Sequence, residues 1–224
     1  MNVNTAVQSI VVAILPLIFA ITLHEAAHGW VANKCGDKTA LMLGRVTLNP
    51  IKHIDLIGTI ILPLILLFLG GFVFGWAKPV PIAWQNLRHP RRDMALVALA
   101  GPSANLLMAF IWGAIAKIAL LYLLGNPHAW IATTGQFLQA TAQFGILINC
   151  VLLILNLFPI PPLDGSRVIS SLLPPAAAHA YERIEPFGIW ILLALLVLGV
   201  LSWFLWPPIQ WLVNMIIDAF QLGH

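Results

Sequence analysis

Residues 7–31 read VQSIVVAILPLIFAITLHEAAHGWV, an apolar run that ends with two histidines and a glutamate. A membrane-spanning helix needs about 20 consecutive, mostly apolar residues, so this stretch is long enough to cross a bilayer. No lysine or arginine precedes Lys34, and the segment therefore lacks the basic start of a cleaved signal peptide. We predict a retained membrane span that carries His24, Glu25 and His28 near its end.

The composition of the whole chain is that of a membrane protein. Of its 224 residues, 60% are hydrophobic and only 8% are charged, and the mean hydropathy is +0.93. A soluble domain carries about 25% charged residues, so a single soluble domain is excluded. The net charge of +3 does not indicate a nucleic-acid partner, because the 11 basic residues are spread between apolar segments. We expect an all-α polytopic membrane protein, a helix bundle that forms one membrane-embedded domain over residues 1–224.

Four more apolar runs and one amphipathic stretch follow the first span. The runs cover about 56–75, 94–124, 133–158 and 187–206. At 208–221 polar residues recur at helical spacing between large apolar ones, which predicts an amphipathic helix. We expect that helix to lie at the membrane interface or to pack on the bundle.

Basic residues in the connecting loops predict the orientation of the chain. Loops 34–55, 76–93 and 159–185 contain lysine or arginine, whereas 125–132 contains neither. Cytoplasmic loops are the ones enriched in these residues, so the first three belong inside. Two successive loops lie on one side only if 56–75 enters the membrane and returns. We therefore predict a re-entrant hairpin or strand pair there, between the first and second core helices; an ordinary crossing is the alternative.

The spacing of the two histidines predicts a metal site. Residues four apart lie on one face of a helix, so His24 and His28 can reach one ion, and Zn²⁺ suits nitrogen ligands. Glu25 projects about 100° around the helix from His24, where it can act as a general base, as in HExxH peptidases. Alternatively, the three residues only mark the point where the helix leaves the membrane.

Asp164 is the candidate third ligand. It lies in residues 156–165, NLFPIPPLDG, where three prolines prevent regular helix and Gly165 permits close approach beside the carboxylate. If 56–75 is re-entrant, Asp164 arrives on the same side of the membrane as the two histidines. The alternative is that Asp164 only caps a following helix over 166–173.

From the HExxH segment to the LDG segment, the chain resembles the site-2 protease family of intramembrane zinc metalloproteases. This resemblance implies one Zn²⁺ per chain, bound by His24, His28 and Asp164, with Glu25 as the catalytic acid/base. It also implies that Asn156, eight residues before Asp164, contacts the substrate or the oxyanion. The alternative for Asn156 is a hydrogen bond between helices.

Other segments resemble the small bacterial and archaeal branch of this family, among them RVTLNP at 45–50 and AGPSAN at 100–105. We expect no PDZ or CBS domain, because the 224 residues leave no room for one beside the membrane segments. Asn105 faces either the site or a neighbouring helix. His53 is either an extra ligand or, as we expect, a loop histidine at the interface.

The expected function is hydrolysis of a peptide bond in or near a transmembrane segment of a membrane-protein substrate. The protein would be a multi-pass protein of the cell membrane, embedded in the lipid bilayer, with its active site toward the cytoplasm. An extended edge from 56–82 would pair with the unwound substrate. The alternative function is a metal-ion-binding transporter or channel that uses the same histidines and aspartate.

Overall fold

The computed structural model describes residues 3–55, 58, 61, 78–124 and 126–223. Over these residues the chain is helical and contains no strand. Its α-helices, numbered in chain order, are α1 (Val3–Cys35), α2 (Thr39–Met42), α3 (Pro90–Ile118), α4 (Ala129–Asn156), α5 (Asp164–Leu172), α6 (Pro175–Glu182), α7 (Glu185–Val197) and α8 (Val200–Ala219).

Four helices are long and apolar enough to cross a membrane. They cover Ile10–Cys35, Pro90–Leu123, Ala129–Asn156 and Val200–Ala219. The second of these is α3 continued through one π-helical turn at Ala119–Leu123. The prediction of an all-α polytopic membrane protein is therefore confirmed for the part of the chain that the structure describes.

The core lies between α3, α4 and α8, where small residues allow close helix packing. The ring of Trp112 in α3 faces Gly145 in α4, and a β-carbon on Gly145 would lie 2.4 Å from that ring. Ala116, Ile146 and Ile216 are buried around this contact. Helices in membranes associate through such close packing of small residues.

The prediction of one continuous span over 187–206 is wrong. Gly199 has a φ angle of +73°, a left-handed conformation that favours glycine and ends helices. It separates α7, which has only 13 residues, from α8. A helix of that length is shorter than the roughly 20 residues that a span requires, so the last candidate span begins at Val200 instead.

The amphipathic stretch predicted at 208–221 forms the second half of α8 and packs on the bundle. Leu212 and Ile216 are buried in the core, whereas Gln210 and Asn214 on the same helix are exposed. Of the two locations that the sequence allowed, the structure shows packing on the bundle.

The connection between α1 and α3 starts and finishes at the same end of α1. The backbone N–H of Arg88 donates to the carbonyl of Cys35 at 3.0 Å, and the N–H of Lys78 donates to the carbonyl of His53 at 3.0 Å. The re-entrant segment predicted at 56–75 lies outside the described residues, apart from two isolated positions. Its described flanks are joined directly, so the chain reaches and leaves that segment at one place.

Candidate metal centre

Three side chains from α1 and α5 bring their donor atoms together. The Nε2 atoms of His24 and His28 are 3.0 Å apart. The Oδ2 atom of Asp164 lies 3.2 Å from the first and 3.3 Å from the second. The histidines meet because four residues make about one helical turn, whereas Asp164 reaches them from the first turn of α5. The three residues predicted as ligands thus form one group that can hold a metal ion.

Gly165 allows Asp164 to reach this group. A β-carbon on Gly165 would lie 2.2 Å from the carbonyl oxygen of Leu157 and 2.7 Å from that of Phe158. These are backbone atoms just beyond the end of α4, and they cannot move aside as a flexible side chain can. Only glycine therefore lets α5 begin against the end of α4 and present the aspartate to α1.

The orientation of the His28 ring is set by a backbone carbonyl of α3. Its Nδ1 atom is 2.7 Å from the oxygen of Val97. A carbonyl oxygen only accepts hydrogen bonds, so Nδ1 must carry the proton of the neutral ring. The Nε2 atom of His28 then directs an unprotonated lone pair toward Asp164.

The His24 ring is oriented by Asn105 of α3. Its Nδ1 atom is 2.6 Å from Oδ1 of Asn105. The Nδ2 atom of Asn105 donates to the carbonyl of Ala20 at 3.2 Å and to Oδ1 of Asn149 at 3.0 Å. Because the Ala20 carbonyl can only accept, the amide of Asn105 has one allowed orientation, in which Oδ1 accepts from His24. The Nε2 atom of His24 is therefore unprotonated as well.

Asn149 of α4 completes this hydrogen-bond chain. Its Nδ2 atom donates to the carbonyl of Gly145 at 2.8 Å, which leaves Oδ1 to accept from Asn105. Both asparagine side chains are fully buried. Of the two positions that the sequence left open for Asn105, the structure shows the one at the site. Asn149 was not predicted, although an amide inside the apolar run 133–158 is itself a signal of function.

The donor set fits a tetrahedral zinc ion. With both imidazoles neutral, two Nε2 lone pairs and one carboxylate would converge, and a cation such as Zn²⁺ would be needed to balance them. Burial alone would raise the pKa of Asp164, but hydrogen bonds donated by the adjacent imidazoles and their positive charge lower it to about 2, so the carboxylate is ionised at neutral pH. Ligands at about 2.0–2.1 Å from zinc in tetrahedral geometry lie about 3.3 Å apart. The observed separations of 3.0–3.3 Å match that spacing.

Glu25 lies beside the donor group but is not one of its three members. Its Oε2 atom accepts a hydrogen bond from the backbone N–H of Val80 at 2.8 Å. Val80 belongs to the segment 78–83, which has no regular secondary structure and passes next to Glu25. A role of Glu25 in proton transfer stays a prediction.

Asn156 and His53 make other contacts. The Nδ2 atom of Asn156 donates to the carbonyl of Leu152 in its own helix at 2.9 Å, so a role toward substrate stays a prediction. His53 is buried, and its Nε2 atom donates to the carbonyl of Thr47 at 3.0 Å. It is not a member of the three-residue group.

Comparison with known proteins gives a consistent assignment. The model of "Peptidase family M50" matches residues 12–129 and 118–199. A Bacillus subtilis protein named "Putative zinc metalloprotease YwhC" is 40% identical over 197 residues, which cover 88% of this chain and 85% of that protein. A Mycolicibacterium smegmatis protein named "Putative zinc metalloprotease Rip2" is 31% identical over 196 residues, covering 87% of this chain and 70% of that protein.

No solved structure matches the chain. The family match spans most of the sequence and includes both the histidine pair and the aspartate that form the donor group. The chain is a member of peptidase family M50, the site-2 protease family of metalloproteases.

Proposed function

We propose that the chain is an intramembrane zinc metalloendopeptidase that hydrolyses a peptide bond in or near a transmembrane segment of a membrane-protein substrate. One observation carries this proposal: three metal-binding donor atoms, from His24, His28 and Asp164, lie within 3.0–3.3 Å of one another. Membership of a metalloprotease family supports it. One zinc ion per chain satisfies the three donors and leaves a fourth position open.

Each residue of the site has a role in the proposed reaction. A bound zinc ion supplies Lewis-acid polarisation of the scissile carbonyl and makes water more acidic. Glu25 takes the proton from the attacking water and passes it to the leaving amine. The bond from Val80 uses Oε2 of Glu25, and Oε1 has its own lone pairs for this transfer. We assign Asn156 to contact with the substrate or the oxyanion.

The depth of the site supports cleavage within the membrane. His28 lies seven residues before the end of α1 at Cys35, which is about 10 Å along the helix. The histidines are therefore well inside the candidate span Ile10–Cys35. A helical substrate would have to unwind to expose a carbonyl there. We propose that an edge from 56–82 pairs with the unwound substrate; of its described residues, Val80 lies beside Glu25.

Charge distribution supports a site that faces the cytoplasm. Lys34, Arg91 and Arg92 lie at the end of the bundle where α1 finishes and α3 begins. The described residues between α3 and α4 at the other end, 126–128, include no lysine or arginine. Basic residues are enriched on the cytoplasmic side of membrane proteins.

The test is cleavage of a membrane-spanning fluorogenic peptide by the full chain in liposomes, together with metal analysis of the same preparation. We expect about one zinc per wild-type chain. Glu25→Gln should retain the metal and lose cleavage by about 10²–10⁴-fold. Asp164→Asn should lose metal and activity together, whereas Asp218→Asn, on the exposed face of α8, is the matched control and should lose neither.

The same preparations distinguish a protease from the alternative, a transporter or channel. A transporter or channel that uses this site would carry zinc into the liposomes, and Glu25→Gln would change little beyond ion affinity. Wild-type protein that contains zinc but leaves every peptide intact while it moves zinc across the bilayer would contradict the protease proposal.

A further inference from the structure

The loop that follows α1 exposes large apolar side chains between basic ones. Met42 is 77% exposed and Ile51 is 74% exposed, although neither is inside a candidate span. Lys52 directly follows Ile51 in the same loop. Apolar side chains combined with lysines are typical of segments that lie in the headgroup region of a membrane. The other exposed apolar residues of this loop are Leu41, Leu43 and Leu48.

An open cavity of about 510 Å³ lies between this loop and the segment 78–83. Its polar lining is basic and comes from Arg45, Lys52 and Lys78. Its apolar lining includes Leu43 and Ile51. We call this feature the basic cavity. The combination of positive charge and aliphatic surface predicts a ligand that carries both a negative group and hydrocarbon.

Arg45 is the key residue of the basic cavity. It is only 9% exposed, and its Nη2 atom donates to the carbonyls of Lys78 at 2.8 Å and Pro79 at 3.3 Å. Its Nε atom is buried without a hydrogen-bond partner. Carbonyl dipoles hold the guanidinium in place but do not neutralise its positive charge.

Asp55, at the end of the same loop, accepts a hydrogen bond from the backbone N–H of Gly58 at 2.7 Å. Asp55 does not line the basic cavity. The residues that do line it therefore contribute three positive charges and no negative one, so an anion is the missing partner.

We propose that the basic cavity binds the phosphate of an anionic phospholipid headgroup. The guanidinium of Arg45 and the ammonium groups of Lys52 and Lys78 would supply positive charge and hydrogen-bond donors to the phosphate oxygens. The glycerol and upper acyl chain would lie against Leu43 and Ile51. The exposed apolar residues of the loop favour a lipid over a soluble phosphate, because they bring the cavity to the membrane surface. This inference does not depend on the proposed protease function.

The experiment measures retention of phosphatidylglycerol by the full chain in phosphatidylcholine nanodiscs, with native mass spectrometry as the readout. We expect wild type to retain phosphatidylglycerol selectively. The double variant Lys52→Gln/Lys78→Gln should weaken this binding about 30-fold, from the typical contribution of two lysines near an anionic surface. The double variant Lys34→Gln/Lys38→Gln removes the same charge at the same end of α1, outside the cavity, and should leave selective retention unchanged.

A second variant separates shape from charge. Arg45→Lys keeps the positive charge but loses the planar guanidinium group. We expect its retention of phosphatidylglycerol to lie between that of wild type and that of Lys52→Gln/Lys78→Gln. If both lysine double variants lost phosphatidylglycerol retention equally, the lipid would be held by general electrostatic attraction to the protein surface, and the proposal would be overturned. Unchanged retention in Lys52→Gln/Lys78→Gln would overturn it as well. Displacement of phosphatidylglycerol by millimolar inorganic phosphate would assign the cavity to a soluble anion and would also overturn it.

Discussion

Gly101 of α3 faces His28 of α1 so closely that a β-carbon on residue 101 would lie 2.3 Å from the Nε2 atom of His28. The same β-carbon would lie 2.6 Å from Nε2 of His24. Both rings are held at Nδ1 by Asn105 and Val97, so neither can turn away freely. The absence of a side chain at residue 101 therefore keeps open the space beside both donor nitrogens.

Gly101→Ala should weaken zinc binding by about 10- to 100-fold, because the new methyl group displaces the ligand nitrogens from their common target. The measurement is a zinc competition titration with a chromophoric chelator on the purified protein. Ser103→Ala, an exposed position two residues away on the same helix, should bind zinc like wild type. Equal affinities for wild type and Gly101→Ala would show that the rings do not sit where the ion binds.

Asn105→Ala should weaken zinc binding by about 10- to 100-fold as well, but for a different reason. It removes the acceptor that fixes the proton of His24 on Nδ1, so Nε2 is no longer held unprotonated and aimed at the ion. Asn149→Leu, one step further along the chain, should have a smaller effect in the same titration. Asn214→Ala, on an exposed helix face, is the control. If it weakened zinc binding as much as Asn105→Ala, Asn105 would have no specific role in orienting His24.

Gly165→Ala should lower both zinc content and thermal stability. Its β-carbon would meet the carbonyl of Leu157 at 2.2 Å, which pushes the start of α5 away from α4 and carries Asp164 out of reach. Metal analysis and thermal unfolding in detergent measure the two effects. Gly223→Ala is the matched control, since its nearest atom would be 3.8 Å away. Full zinc occupancy in Gly165→Ala would contradict the packing argument.

Asp37 should make stability depend on acid pH. Its buried carboxylate accepts hydrogen bonds from Thr39, from the N–H of Ala83 at 2.8 Å and from Asn86 at 3.2 Å. Burial alone would raise the pKa of Asp37, but these hydrogen bonds lower it below its ordinary value. The carboxylate thus links the end of α1 to the segment that carries Val80. Asp37→Asn replaces one acceptor oxygen with a donor and should cost about 1–3 kcal/mol at pH 7.

The sign of this pH effect follows from the lowered pKa. A carboxylate with a depressed folded-state pKa stabilises the protein fully above its unfolded-state value, about 3.9, and loses that contribution as pH falls through the folded-state value. The difference in melting temperature between wild type and Asp37→Asn should be constant from pH 7 to about 5 and shrink below about 4. A difference that widens on acidification would show that Asp37 is not held as an ionised acceptor.

Much of the fold could be predicted because it depends on local properties of the chain. The apolar runs at 7–31, 94–124 and 133–158 became helices, since a long apolar segment must satisfy its backbone hydrogen bonds internally. The break at Gly199 was missed because hydropathy does not change there. Only the left-handed conformation of that residue divides the run into α7 and α8.

The three candidate metal ligands could be predicted from the sequence, but the hydrogen bonds that orient them could not. The proline-rich segment and the loop charges together placed Asp164 on the same side as the histidines. The neighbours that orient the imidazoles, Asn105 and Asn149, carry no spacing signal relative to α1. Their part in the site appears only when α3 and α4 pack against it.

The amino-acid sequence alone determined that the chain is a bundle of membrane helices and that two imidazoles stand one turn apart on the first of them. Both properties follow from helix periodicity and from the cost of exposing polar groups to lipid, which act over a few residues. Tertiary structure alone decided that Asp164 lies 3.2 Å from His24 and that both Nε2 lone pairs point inward. Those features require contacts between residues far apart in the chain, and only the packing of α1, α3, α4 and α5 supplies them.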